Sequence, residues 1–423
     1  MIKKILLFLF LFASLVGAQN SVYVITLNGV INPVASDFIR ESIEKAEEGD
    51  AVCLVIQLDT PGGLMKSMRV IIKDIFAARI PVVVYVAPSG ARAGSAGVFI
   101  TMAAHIAAMA PGTNIGAAHP VAMGAQADTS DTMMEKITND AVAFIKSIAE
   151  RRGRNVEWAE KAVRESASIT SSKALELNVI DYIAPSLDSL LLLIDGKEVE
   201  TVAGKVVLKT ANANIKVLKM SFRYRILDVI SDPNIAYILL LIGIYGIFFE
   251  LYNPGSIFPG VVGVISIILA FYALHTLPIN YAGLLLIIFG IILFLLEVKI
   301  PSYGLLTVGG IVSLVLGSLM LFESPLPFLR VSWEVIAAAT VTTALFFIFA
   351  IGLALRAQQR KPTTGREGLV GEVGEAVDAF KNGQGQVLVH GEIWQATSSD
   401  KIKKGDGIRI VGVDGLKIKV QKL

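Results

Sequence analysis

At 423 residues the chain exceeds what one hydrophobic core usually supports, so it divides into two or more domains. Hydrophobic residues make up 54% and charged residues 17%, a balance too apolar for an ordinary soluble protein. The formal net charge of +2 excludes a strong electrostatic pull toward nucleic acid.

Residues 1–18 read as a secretory signal peptide. Lys3 and Lys4 give the positive flank, Ile5 to Val16 the apolar core, and Val16, Gly17 and Ala18 a small-residue cleavage site before Gln19. Export of the following domain is the expectation.

Residues 19–208 alternate short apolar runs with helical spacing. Strands are predicted at Val22 to Ile25, Val52 to Leu58 and Val82 to Val86. Helices are predicted at Ile31 to Ala46, Leu64 to Ala78 and Val98 to Ala107. This alternation predicts an α/β domain around a largely parallel sheet. The single cysteine, Cys53, lies in an apolar run and is expected to be buried and unreactive. The stretch Pro111 to Thr132 reads as a loop rich in Gly, Ala, Ser and Asp. Helices from Met133 to Arg152 and from Glu157 to Ser166 follow.

Residues 209–232 form a basic, amphipathic connector. Lys216, Lys219, Arg223 and Arg225 lie among Ile215, Leu218, Met220, Phe222 and Ile226, a pattern suited to a lipid surface. Residues 233–356 form an all-α transmembrane region of about five helices: Ile235 to Leu251, Phe258 to Leu274, Tyr281 to Val298, Tyr303 to Phe322 and Val335 to Leu355. Glu250 and Glu297 sit at segment ends, where an interfacial carboxylate and a buried functional one are both open. Arg356, Arg360, Lys361 and Arg366 mark the far side of the last segment as cytoplasmic. An odd number of crossings then puts the first domain outside the cytoplasm. The basic connector pulls the other way, but a translocated domain largely ignores loop charge.

Residues 366–423 alternate strand-like runs with glycine turns and predict a small all-β barrel of five strands. Only Phe380 and Trp394 are aromatic there, so a docking or assembly module is expected rather than a nucleic-acid binder.

The chemistry gathers around Ser95. It sits among small residues in Ala91 to Gly97, just after an apolar strand. A serine hydroxyl is a poor nucleophile until a base takes its proton, and two bases compete. Lys136 opens a helix and would be neutral if buried against Met133, Met134, Ile137 and Ala141. His119 would need a steadying third group, for which Asp128, Asp131 and Asp140 are candidates with nothing to single one out. The N–H groups of Gly63 and Ala96 are the candidate oxyanion donors, with Gly62 allowing the turn. Ser95 alone also fits a tight helix–sheet contact. No cofactor or metal site is indicated.

The segments Asp59-Thr60-Pro61-Gly62-Gly63 and Gly94-Ser95-Ala96-Gly97 resemble the oxyanion and serine turns of the ClpP/crotonase superfamily. Across nearly its full length the chain resembles the long NfeD-like membrane serine proteases. The matching stretches include Pro111 to Pro120 and Lys136-Ile137-Thr138-Asn139-Asp140. The resemblance implies a ClpP-like protease domain at 19–208, a membrane region and an OB-like C-terminal barrel. It implies a Ser–Lys dyad falling on Ser95 and Lys136, whereas soluble ClpP would place its histidine near His119. It implies cleavage of apolar segments of a stomatin-like membrane partner, and a homo-oligomer at the cell membrane. Two rivals stand beside the protease: a catalytically silent scaffold for a membrane microdomain with stomatin- or flotillin-like partners, and acyl-CoA chemistry on a crotonase-type fold.

Overall fold

Alternate residues of the first strands enter two different cores, and this fixes the layers of the N-terminal domain. The strands and helices run β1 (Ser21–Asn28), α1 (Pro33–Glu48), β2 (Cys53–Asp59), α2 (Met65–Ala77), β3 (Val82–Val86), β4 (Arg92–Gly94), α3 (Ala96–Ala103), β5 (Ile106–Met109) and β6 (Asn114–Gly116). They continue as α4 (Asp131–Arg152), α5 (Val156–Arg164), β7 (Ser168–Thr170), α6 (Ser171–Glu176), β8 (Tyr182–Ile183), α7 (Leu187–Ile194), β9 (Glu198–Thr201), β10 (Gly204–Val207), β11 (Asn214–Val217) and α8 (Phe222–Ile230). The computed structural model describes residues 20–121, 131–252, 254–274, 277, 279–300, 302–322, 324, 326–359 and 366–423. The signal peptide at residues 1–18, Asp128, Arg360 and Lys361 lie outside the described residues.

The main sheet has the order β11-β1-β2-β3-β5-β8, and every pair in it is parallel. Leu54, Ile56, Leu58, Val82, Val84 and Val86 face the larger core, shared with α1 to α5. Cys53, Val55, Val83 and Tyr85 face the smaller core, shared with α7. Both faces are covered, which is why these strands read as unbroken apolar runs. Each such side chain contributes roughly 1.5–3 kcal/mol by leaving water. Burial pushes the Cys53 thiol up to about 12. A second, three-stranded sheet, β4-β6-β7, carries the serine turn.

Three predicted elements differ from the structure, the first being strand β6, which lies inside the stretch Pro111 to Thr132 read as a loop. The helix expected at Val98 to Ala107 is α3, ending at Ala103, followed by strand β5. A short run of small apolar residues has no period to separate a buried helix from a buried strand. The break falls at His105, whose backbone N–H donates to Val82 O (2.9 Å) while its Nδ1 accepts from Val82 N (3.1 Å). In the connector, Asn214 to Val217 is an edge strand paired with β1 from Ser21 to Val24. Only α8 remains as a helix there, and Tyr224 of α8 packs on Phe38 of α1 at 6.5 Å between ring centroids.

The apolar helices are α9 (Pro233–Tyr252), α10 (Ile257–Leu274), α11 (Tyr281–Lys299), α12 (Leu305–Leu321) and α13 (Trp333–Gln359). Among the described residues, four helices are long and apolar enough to cross a membrane, the last of them counted from Pro327 to Phe349. The fifth expected crossing, α12, has 17 residues. At 1.5 Å per residue it reaches about 26 Å, short of a hydrocarbon core of roughly 30 Å. Backbones of α9 and α10 touch at Gly246, where an added Cβ would lie 2.5 Å from Pro259 O. Small residues permit that approach in lipid.

The chain forms two compact units. One runs through Ile292 and includes Val308–Val341; the other comprises Leu293–Thr307 and Thr342–Leu423. In the second unit Glu297 is buried and accepts from Ser302 Oγ (2.6 Å), Gly304 N (3.0 Å) and Thr307 N (3.0 Å). The carboxylate therefore closes the turn into α12, a structural use. The same unit holds α14 (Arg366–Leu369) and strands β12 (Val373–Ala376), β13 (Gln384–Val389), β14 (Glu392–Thr397), β15 (Gly407–Asp414) and β16 (Lys417–Lys422). These five close into a barrel in the order β12-β13-β14-β16-β15 around Val387, Val389, Ile408, Ile410 and Ile418.

Candidate active site

Two turns from distant parts of the sequence are laced into one piece. Thr60 bridges Ala93: Thr60 N donates to Arg92 O (2.8 Å) and Gly94 N donates to Thr60 O (2.9 Å). Arg92 N donates to Asp59 Oδ1 at 3.0 Å. The Thr60 hydroxyl accepts from Gly62 N (3.0 Å) and donates to Gly62 O (3.1 Å), closing the turn on itself. Gly62 has φ 121°, and a Cβ added there would lie 2.6 Å from Ser95 Cβ. Only glycine fits between the turn and the serine.

Ser95 has φ 50° and ψ −111°. That region is sparsely populated for a residue with a side chain and costs on the order of 1–3 kcal/mol. The surroundings hold it there. Ser95 N donates to Gly116 O at 3.1 Å, and α3 begins at the next residue. All eight residues of α3 are buried, while Ser95 itself is half-exposed. A strained serine at the start of a buried helix, just after a strand, is the geometry that lifts a hydroxyl clear of its backbone. Among the described residues no hydrogen bond takes up the N–H of Gly63 or of Ala96. The Ala96 donor also stands at the positive end of the α3 dipole.

The far end of α3 is held by cations. Arg154 is 5% exposed; its Nη1 donates to Met102 O (2.6 Å) and Ala104 O (2.9 Å), and its Nη2 to Asp181 (2.7 Å). Arg152 Nε donates to Ala103 O at 2.7 Å. These guanidinium groups satisfy carbonyls that a helix end leaves open. Neither arginine is visible in the sequence, because nothing local marks a side chain that reaches across about fifty positions.

The two bases stand differently. Lys136 is exposed on α4, not buried as its apolar neighbours suggest. Met133 is 38% exposed, and steady burial of α4 starts only near Thr138 and Ala141. The helix N-terminus thus projects beyond the core. His119 is half-buried, with Nδ1 2.8 Å from Val163 O. A carbonyl can only accept, so Nδ1 carries a proton. No carboxylate steadies His119 among the described residues. Asp140 pairs with Arg69, Asp131 opens α4, and Asp128 lies outside those residues. No hydrogen bond joins Ser95 Oγ to either base among the described residues.

Three family models match in chain order: the NfeD1b N-terminal domain at residues 21–187, the NfeD integral membrane domain at 234–352 and the NfeD-like C-terminal, partner-binding domain at 366–422. Membrane-bound protease PH1510 of Pyrococcus horikoshii is 37% identical over 96% of this chain and 94% of its own length. The chain belongs to the NfeD family. Membrane protein NfeD1b of Bacillus subtilis is 26% identical over 97% of this NfeD chain and 96% of its own length. A solved structure, the 1510-N membrane protease specific for a stomatin homolog from Pyrococcus horikoshii, is 34% identical. It covers 51% of this chain and 100% of its own, with a TM-score of 0.45. This NfeD protein is a membrane-bound protease, with the α/β domain, the apolar helices and the closed β-barrel in the expected order.

Proposed function

We propose that Ser95 is the nucleophile, Lys136 the general base, and the N–H groups of Gly63 and Ala96 the oxyanion hole. The observation that carries this reading is Ser95 held at φ 50° against Gly62, with the N–H groups of Gly63 and Ala96 left without hydrogen-bond partners among the described residues. Ser95 Oγ attacks the scissile carbonyl carbon as its proton passes to Lys136 Nζ. The carbonyl oxygen becomes an oxyanion facing Gly63 and Ala96. The C–N bond then breaks, the leaving amine takes the proton from Lys136, and an acyl-serine remains. Water, deprotonated by Lys136, releases the carboxylate product and frees the serine.

An ammonium cannot take a proton, so the exposed Lys136 needs cover. The reading assigns that cover to the substrate or to a second copy of the chain. An apolar segment laid over Met133, Lys136 and Ile137 removes water from the amine and favours its neutral form. This explains a preference for apolar segments in physical terms. His119 is the lesser candidate, because its Nδ1 partner is a carbonyl rather than a carboxylate.

The solved relative is named as specific for a stomatin homolog, and the C-terminal model is described as partner-binding. We assign this chain a stomatin-like membrane partner on those grounds, with residues 366–423 as the docking module. The signal peptide and the basic residues after α13 support a protease domain outside the cytoplasm and a cytoplasmic barrel. That sidedness requires all five apolar helices to cross, the short α12 included.

The deciding experiment uses full-length protein in nanodiscs with an apolar peptide. Ser95→Ala is expected to lower kcat/KM by at least about a thousandfold. Equal cleavage by both proteins overturns the nucleophile assignment, whereas cleavage by neither leaves the catalytically silent scaffold.

A further inference from the structure

The first unit holds a half-open cavity of about 580 Å³ that the chemistry above does not use. One wall is Gly29–Asn32, the link from β1 to α1, together with Leu64. Another is built by Ile235 at the start of α9, with Leu277 and Leu329. The volume suits one or two large side chains.

Its wall is tied to the oxyanion turn by three backbone hydrogen bonds. Gly29 N donates to Asp59 O (2.9 Å), Ile31 N to Gly62 O (2.8 Å) and Leu64 N to Ile31 O (2.8 Å). Gly63 is pressed between these bonds: a Cβ added to it would lie 2.2 Å from Ile31 O. Whatever fills the cavity therefore bears on the residue whose N–H faces the oxyanion.

Resting on the serine-protease reading above, we propose that this cavity is a subsite for an apolar side chain of the peptide substrate. Three observations support a peptide over other occupants. The cavity adjoins the oxyanion turn through Ile31. Its other wall is the beginning of α9, a helix long and apolar enough to cross a membrane, so the cavity lies where a segment leaving the lipid would emerge. Its rim carries Asp228, held by Asn32 Nδ2 at 2.9 Å, and Asp232, whose Oδ1 accepts from Asn234 N at 2.8 Å. Two carboxylates there oppose an anionic lipid headgroup.

The test uses full-length Ser95→Ala protein in nanodiscs, so that binding is read without cleavage. An apolar peptide carrying a photoreactive leucine is irradiated with it and the adducts are mapped. Adducts on Leu64, Ile235, Leu277 or Leu329, suppressed by excess unlabelled apolar peptide but not by added phospholipid, are expected. Adducts confined to other surfaces, or suppressed by phospholipid alone, overturn the subsite. A second arm fills the cavity from its far side with Ile235→Trp in otherwise native protein. Cleavage of long apolar peptides should fall at least about tenfold, while labelling of Ser95 by a small fluorophosphonate stays within about twofold. Unchanged cleavage overturns the proposal. Native protein that neither labels nor cleaves strikes the serine reading, whatever the adduct map shows.

Discussion

The turn that carries Ser95 and the helix end that carries Lys136 belong to one domain but are held by opposite means. Around the serine, Asp59, Thr60, Arg92, Gly94 and Gly116 exchange hydrogen bonds, and α3 is buried along its whole length. Around the lysine, side chains face outward and the core begins a turn later. The half of the site that must bind a developing charge is prebuilt, which electrostatic catalysis demands. The half assigned to the base is exposed. On the proposed assignment, an apolar chain laid over Lys136 completes the site, which would limit stray proteolysis.

The largest way to break this contrast is at the lysine. Lys136→Ala is expected to lower kcat/KM by at least about a thousandfold, whereas His119→Ala leaves it within about threefold. Fluorophosphonate labelling rates measured beside peptide cleavage check both variants. The reverse ranking would move the base to His119 and make the exposed helix end irrelevant to chemistry.

Next comes the prebuilt half. Gly62→Ala places a methyl 2.6 Å from Ser95 Cβ and strains a backbone at φ 121°. The turn must shift, carrying the Gly63 N–H away from the oxyanion, at an expected cost of about two to three orders of magnitude in kcat. KM should change far less, because that contact forms chiefly in the transition state. A loss confined to KM would assign Gly62 to substrate binding instead.

Legibility divides along the same line. The apolar runs at β2 and β3 and the helices between them stand in the sequence because burial on both sheet faces leaves a continuous signal. The turns at Asp59 to Gly63 and Gly94 to Gly97 are legible because close approach admits only small residues. The end of α3 is not, since it is set by Arg152 and Arg154 from elsewhere in the fold and by the bond from distant Val82 N to His105. Nor is the strand Asn214 to Val217, whose lysine looks like a lipid anchor. Instead Lys216 Nζ lies 5.2 Å from the Tyr23 ring centroid at the sheet edge. Lys136 shows the reverse failure: its apolar neighbours suggested burial, and the end of a helix denied it.

A smaller effect probes the floor beneath the serine. Burial, then the nearby Arg152, Arg154 and Arg151, push His105 down to about 3 from an ordinary 6.5. The unfolded chain therefore takes up a proton near pH 6.5 while the folded domain refuses it until about pH 3. Stability from this group is full above that window and falls as pH drops through it, by up to about 1.4 kcal/mol per pH unit. Hydrogen exchange of the α3 amides at pH 7 and pH 4.5 measures it. His105→Gln keeps an acceptor for Val82 N and should flatten the slope. An unchanged slope would place the acid sensitivity elsewhere.

The smallest expected effect is at Cys53. Its thiol is fully buried in the second core and pushed up to about 12, so the thiolate that alkylating reagents need is scarce at pH 8. Folded protein should resist iodoacetamide for hours, and Cys53→Ala should leave cleavage of apolar peptides unchanged. The position lies on the sheet face away from α3, so it tests whether the catalytic half depends on the larger core alone. If Cys53→Ala lowers kcat without lowering stability, the two faces are coupled through β2 into Asp59. The oxyanion turn would then take its geometry from the whole sheet rather than from its own hydrogen bonds.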